Sequence, residues 1–170
     1  LIHMNISIYL HPEEINAMEY LHELFQQNVP LSSILIINNR KHVDKSKRIF
    51  NERTGNLYQP RDFSALIHGR SIPCYEIDSI NNSKTVELIK SLEIDVLLLG
   101  GGGIVKQTSL IASRYGILNC HPSDIRKYRG CTNVEWAIYE DYPIYLSCHF
   151  ITEEIDSGPL VLQQKFNYVE

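Results

Sequence analysis

The chain has 170 residues, of which 44% are hydrophobic and 21% charged, and its formal net charge is −4. That length and balance suit one soluble globular domain with a useful core, and the net charge argues against broad nucleic-acid affinity, although charge is unevenly spread along the chain. No apolar run approaches the roughly 20 residues of a membrane-spanning helix, and Leu1-Ile2-His3-Met4 lacks the basic and apolar regions of a signal peptide.

Strand and helix patterns alternate along the chain. Asn5–Leu10 predicts a short strand, and Pro12–Gln27 a helix with Pro12 near its first turn. Ser33–Ile37 is apolar and β-branched, hence a buried strand. From Asn38 to Arg70 the chain is polar and basic and holds Thr54-Gly55-Asn56, so irregular structure with helical pieces is expected. Between Arg40 and Asp62, seven Lys/Arg stand against three Asp/Glu. Such a stretch is usually a solvated surface; the alternative is a grip for a phosphorylated substrate. Ile72–Ile77 predicts a strand, Lys84–Leu92 a helix, Asp95–Leu99 the most apolar strand, and Lys106–Tyr115 a helix. Then come a strand at Gly116–Cys120, a helix at Asn133–Glu140, and strands at Ile144–Ile151 and Leu160–Phe166. Alternation of this kind implies an α/β fold, a Rossmann-like three-layer sandwich with a mostly parallel sheet. Such sheets bind ligands beyond the carboxyl ends of their strands.

One segment carries chemistry. Asn119 and His121 lie two apart at the end of an apolar strand, so their side chains share a face and can converge on one reacting atom. Asp156 follows a second apolar strand, in a loop reading Asp-Ser-Gly-Pro that alone would pass for a turn. Gly100–Gly103 follow the strand Asp95–Leu99 and suggest close backbone approach to a ligand. They form neither a dinucleotide fingerprint nor a P-loop. Cys120-His121, Cys131 and Cys148-His149 are metal-ligand residue types, but neighbours on a strand point to opposite faces and no C-x-x-C spacing is present. No metal is expected. The four cysteines show no framework spacing and are read as the reduced thiols of a cytoplasmic protein.

Asn119-x-His121-Pro122-Ser123, then Lys127-Tyr128-Arg129-Gly130, then His149-Phe150 and Asp156-x-Gly158-Pro159 together resemble the folate-dependent formyltransferases. That family includes enzymes acting on glycinamide ribonucleotide, nucleotide amino sugars and methionyl-tRNA. The likeness runs from about Asp95 to the C-terminus; the first half matches only in its strand–helix rhythm. It implies 10-formyltetrahydrofolate as formyl donor and a primary amine as acceptor, with Asn119, His121 and Asp156 catalytic. It places the pterin ring against backbone near Gly101, Gly103, Ile104 and Val105 and near Thr152, Glu153, Glu154 and Ile155. Ser123, Tyr128, Arg129 and Gly130 would form a substrate-side loop. His149 is either a structural hydrogen-bonding residue or a support for the Asp156 loop.

The residue types suit that reaction. Amine attack on a formyl carbon creates a negative oxygen that the Asn119 amide and His121 can stabilise. The amine must also lose a proton, which Asp156 can accept or steer through His121. Three features depart from the family pattern. Tyr9-Leu10-His11-Pro12-Glu13-Glu14 replaces a Gly/Ser/Asn-rich phosphate loop, and Asp124-Ile125-Arg126 replaces the usual Leu-Leu-Pro. The chain also ends at Glu170, soon after the Asp156 loop, so it reads as one catalytic domain shortened at its C-terminus. From this the expectation is a small phosphorylated or nucleotide-linked amine as substrate and no nucleic-acid or membrane partner. The alternatives are a formyltetrahydrofolate deformylase, with water in place of the amine, and a non-catalytic folate-binding relic. Oligomeric state is left open.

Overall fold

The computed structural model describes residues 4–38, 40–55, 57–58, 61–101 and 103–167. Its centre is a seven-stranded sheet of β1 (Ile6–Leu10), β2 (Leu31–Ile37), β3 (Cys74–Ile77), β4 (Val96–Leu99), β5 (Gly116–His121), β6 (Tyr145–Phe150) and β7 (Leu160–Lys165). The strand order is β3-β2-β1-β4-β5-β6-β7. β1 to β5 run parallel, while β6 and β7 return antiparallel at one side. The helices are α1 (Ile15–Gln26), α2 (Arg40–Thr54), α3 (Phe63–Ile67), α4 (Ser83–Ser91), α5 (Gln107–Leu110) and α6 (Asn133–Tyr139).

Alternation along the strands divides the core between two faces. Ile8, Leu10 and Ile34 face α1, whose Ala17, Met18, Leu21 and Phe25 cover them. Tyr9, Leu35, Leu97 and Ile117 face the other way, against Ile80, Ile89 and Ala112. Leu97 and Ile117 are fully buried, and each such burial stabilises the fold by on the order of 1.5–3 kcal/mol. β4 and β5 are thereby fixed as the floor from which the chemistry-bearing loop departs. This is the mostly parallel α/β sandwich that the sequence implied.

Three stretches differ from expectation. α1 begins at Ile15 rather than Pro12, because the Glu14 amide bonds the His11 carbonyl and the Glu13 amide bonds His11 Nδ1, closing a turn ahead of the helix. The expected irregular stretch after Asn38 contains a 15-residue helix, α2. Its Lys, Arg and Glu residues are good helix formers, and no glycine interrupts them before Gly55, at φ +58°. Of its basic residues, Lys47 pairs with Glu13 and Arg53 with Glu135, and Arg61 beyond it pairs with Glu19. These cations hold the chain's own carboxylates. The helix expected over Lys106–Tyr115 is only Gln107–Leu110. Beyond it the backbone turns to the sheet instead, with the amides of Arg114 and Tyr115 bonding the carbonyls of Ile94 and Asp95. Asn56 of the expected break and Gly102 of the glycine run lie outside the described residues. No helix among the described residues is long and apolar enough to cross a membrane.

Candidate active site

β5 and β6 present the central residues side by side. Their antiparallel register sets Asn119 opposite His149 and His121 opposite Ser147. Asn119, His121 and His149 therefore share one face, and Cys120 and Cys148 share the other. All four cysteines are free thiols. An apolar hollow of about 270 Å³, lined in part by Tyr20, Leu24, Val29, Leu118 and Cys120, lies on the cysteine side. The titratable cluster is on the opposite side.

Asp156 comes back to this cluster although its loop leaves from the far end of β6. The loop folds onto the strand, and Gly158 makes the fold possible: a Cβ there would stand 1.8 Å from the Phe150 carbonyl oxygen. Asp156 itself adopts φ +47°, a left-handed conformation that aspartate tolerates better than most residues. Its Oδ2 accepts a 2.9 Å hydrogen bond from the Gly130 amide. Gly130 can aim that amide because it sits at φ +83°.

The geometry is a short chain of polar contacts. His121 Nε2 lies 3.4 Å from Asp156 Oδ2, and His149 Nε2 lies 3.7 Å from Asp156 Oδ1. His149 donates from Nδ1 to the Phe150 carbonyl at 3.0 Å. The Asn119 Nδ2 lies 3.5 Å from its other ring nitrogen, Nε2. His149 is almost completely buried, while the side chains of His121 and Asp156 are only 15% and 14% exposed. Burial pushes the His121 imidazole below its ordinary value of 6.5; the Asp156 carboxylate and the Gly130 carbonyl pull it up, and His149 pushes it further down. Burial outweighs the carboxylate at 3.4 Å, so the resting ring is neutral near pH 7.

The loop after His121 is built by residues that the sequence reading treated as a departure. Asp124, nearly buried, accepts from Arg126 through Nε at 2.9 Å and through a terminal guanidinium nitrogen at 3.1 Å. It also accepts from the Arg126 amide, Gln163 and Tyr142. The Arg126 guanidinium first, then Gln163, the Arg126 amide and Tyr142, hold the carboxyl well below the usual carboxylate range against the opposing effect of burial. Ser123 is buried and donates to the Tyr128 carbonyl, Tyr128 donates to Glu140, and Arg129 donates to the Ile125 carbonyl. Of the four residues expected to form a substrate-side loop, only Gly130 directly contacts an expected catalytic side chain.

Asn133, in the first turn of α6, was missed. Its Nδ2 stands 2.6 Å from His121 Nε2 and 2.9 Å from the Gly130 carbonyl. An asparagine three residues after a glycine, where a helix begins, reads as a cap, and nothing in its spacing marks it otherwise. The expected folate segments are two separate loops. In one, Gly101 abuts the Glu14 carboxylate, the Ile104 carbonyl accepts from Asn81, and Val105 is buried. In the other, Thr152 bonds Ser157, and both hydroxyls bond the Glu154 carbonyl; Glu153 and Ile155 are exposed. Among the described residues no group of three His, Cys, Asp or Glu is placed to hold a metal ion.

Residues 4–169 match the family described as formyl transferase. The chain belongs to that family. It is 28% identical over 115 residues to the methionyl-tRNA formyltransferase of Thermotoga neapolitana, a match covering 66% of this chain and 37% of that protein. The structure of glycinamide ribonucleotide transformylase 1 from Symbiobacterium toebii superposes with a TM-score of 0.63 at 19% identity, covering 98% of this chain and 74% of that one. A sugar N-formyltransferase from a Shewanella species superposes at 0.60 with 15% identity, covering 98% and 59%. Both structural likenesses are of fold. The chain spans about a third of the length of the curated relatives it matches. Those relatives are named for a tRNA substrate, which overturns the expectation that nucleic acid has no part. That expectation rested on net charge and on reading the end of the sequence at Glu170 as the end of the acceptor-binding part. A net charge averages over the whole surface, and a chain's last residue says nothing of what its acceptor carries.

Proposed function

We propose that this formyltransferase-family chain transfers a formyl group from 10-formyltetrahydrofolate to a primary amine on a phosphorylated or nucleotide-linked molecule. That acceptor class spans nucleotide amino sugars, glycinamide ribonucleotide and aminoacyl-tRNA. The observation that carries the reading is the convergence of Asn119, His121 and Asp156 on one sheet face, with His121 Nε2 at 3.4 Å from the carboxylate.

Each residue then has a task. The Asn119 amide, within reach of His149, donates to the oxygen that becomes negative as the amine adds to the formyl carbon. His121, neutral at rest, takes the proton that the attacking nitrogen sheds. Asp156 then faces an imidazolium and stabilises it, and the proton passes on to the departing folate nitrogen. The two loops expected to hold the pterin carry the exposed apolar side chains Ile104 and Ile155, which suit contact with a flat ring.

The test is incubation of the protein with 10-formyltetrahydrofolate and, separately, each of the three acceptors, with detection of formylated amine and free formate. Amine-dependent release of tetrahydrofolate supports the reading and identifies the acceptor. Release of formate without amine makes the chain a deformylase and sinks transfer.

A further inference from the structure

We propose that Asn133 is a positioning residue that holds His121 as a proton acceptor at Nε2 in the resting site. The kinetic consequence rests on the formyl-transfer reading; the placement of the proton does not.

Asn133 is 5% exposed, and its amide nitrogen meets two partners, the Gly130 carbonyl at 2.9 Å and His121 Nε2 at 2.6 Å. An amide nitrogen has two hydrogens to give and no lone pair to offer. Both partners must therefore be acceptors. Rotating the amide by half a turn would set Oδ1 against the Gly130 carbonyl, two acceptors in contact, so the carbonyl fixes the amide. The amide in turn fixes the ring, with Nε2 bare and the neutral imidazole's proton on Nδ1. Asp156 Oδ2 lies 3.4 Å from the same Nε2, but takes its hydrogen bond from the Gly130 amide instead. Gly130 is thus the hub: its carbonyl holds Asn133 and its amide holds Asp156.

The arrangement gives the site a direction. At rest Nε2 can only receive. When the attacking amine loses its proton to Nε2, the N–H bonding pair stays on the amine nitrogen as the carbon–nitrogen bond forms. The ring then carries a hydrogen where Asn133 carries one too. Asn133 loses its contact and the Asp156 carboxylate gains one. Asp156 and His149 are the titratable groups that act on His121, from the loop after β6 and from β6; α6 offers it only the neutral Asn133.

Nitrogen-15 NMR of the histidines in the full chain tests this for wild type, Asn133→Ala and Asn133→Asp. The wild-type spectrum should show neutral His121 with Nδ1 protonated and Nε2 bare. In both variants the His121 titration midpoint should move up and the proton should appear on Nε2, facing Asp156, or in Asn133→Asp the new carboxylate as well. The kcat of formyl transfer should fall about ten-fold in Asn133→Ala with KM for the folate unchanged, since the loss touches the proton acceptor alone. Wild-type Nε2 found protonated at neutral pH overturns the inference, and so do unchanged His121 signals in a folded variant. If neither variant folds, the wild-type tautomer decides alone. The expected tautomer in a protein that formylates none of the acceptors supports this inference and rejects the functional reading. The reverse pattern does the opposite.

Discussion

Replacing Asp156 by asparagine removes a charge while keeping the shape of the side chain. At φ +47° asparagine is accommodated as readily as aspartate, and its Oδ1 can still accept from the Gly130 amide. What disappears is the attraction between a carboxylate and the imidazolium that forms 3.4 Å away. Both side chains are about 15% exposed or less. A charge-assisted contact in such surroundings contributes roughly 2–3 kcal/mol. At 1.36 kcal/mol per factor of ten, kcat should fall by about 30- to 150-fold. The carboxylate raises the His121 pKa, so its removal should also move the acid limb of the pH–rate profile to lower pH. The assay is amine-dependent tetrahydrofolate release across pH, beside a thermal melt. A variant within threefold of the wild-type rate would remove Asp156 from the proton path, and a variant that no longer folds would recast it as structural.

Asn119→Ala should lower kcat by about 100- to 1,000-fold with little change in folate affinity, because it deletes a donor to the developing oxyanion; equal losses in binding and turnover would argue for mere positioning. Gly158→Ala forces a Cβ to 1.8 Å from a backbone oxygen, and should destabilise the fold by about 1–3 kcal/mol while depressing turnover through the displaced Asp156. An unchanged melt and rate would show that the loop does not need its close approach to Phe150. Asp124→Asn should lower the melting temperature by about 4–8 °C, from roughly 2 kcal/mol of lost charge-assisted bonding at 2–4 °C per kcal/mol. The Asp124 carboxyl is depressed in the folded chain, so its contribution is complete above the ordinary value of 3.8 and is lost as pH falls through the folded value. The gap between wild type and variant should therefore be constant above about pH 5 and close only in strong acid. A gap that closes between pH 5 and 7 would contradict this assignment.

Much of the fold was legible because two apolar runs were clean. Ser33–Ile37 and Asp95–Leu99 are apolar enough to read as buried strands, and the structure places β2 and β4 over those residues. α5 was overread because Thr108, Ser109 and Ser113 do not break a helical pattern on paper. In the fold Ser109 turns inward to the Ile80 carbonyl, and the backbone amides of residues 114 and 115 leave for the sheet. α2 was underread because its few apolar residues are spread thinly through a polar, basic run, although its many Lys, Arg and Glu residues favour helix.

The site divides in the same way. Asn119 and His121 were placed together by strand period alone, a local rule. Their meeting with Asp156 needed the motif order, since no local rule reveals that a loop leaving the far end of β6 folds back over it. Asn133 and Asp124 were invisible as site-building residues because their roles come from partners 12 and 39 positions away, His121 and Gln163. A buried carboxylate satisfied by five donors looks in sequence like any surface aspartate.

The most direct test uses 10-formyltetrahydrofolate labelled with carbon-13 in the formyl group, an accepted amine, and the wild-type and His121→Ala proteins. Wild type should yield labelled formamide product, and the variant should lose at least about 1,000-fold of that activity with folate still bound. Equal label in the two products would contradict the claim that this histidine performs the transfer.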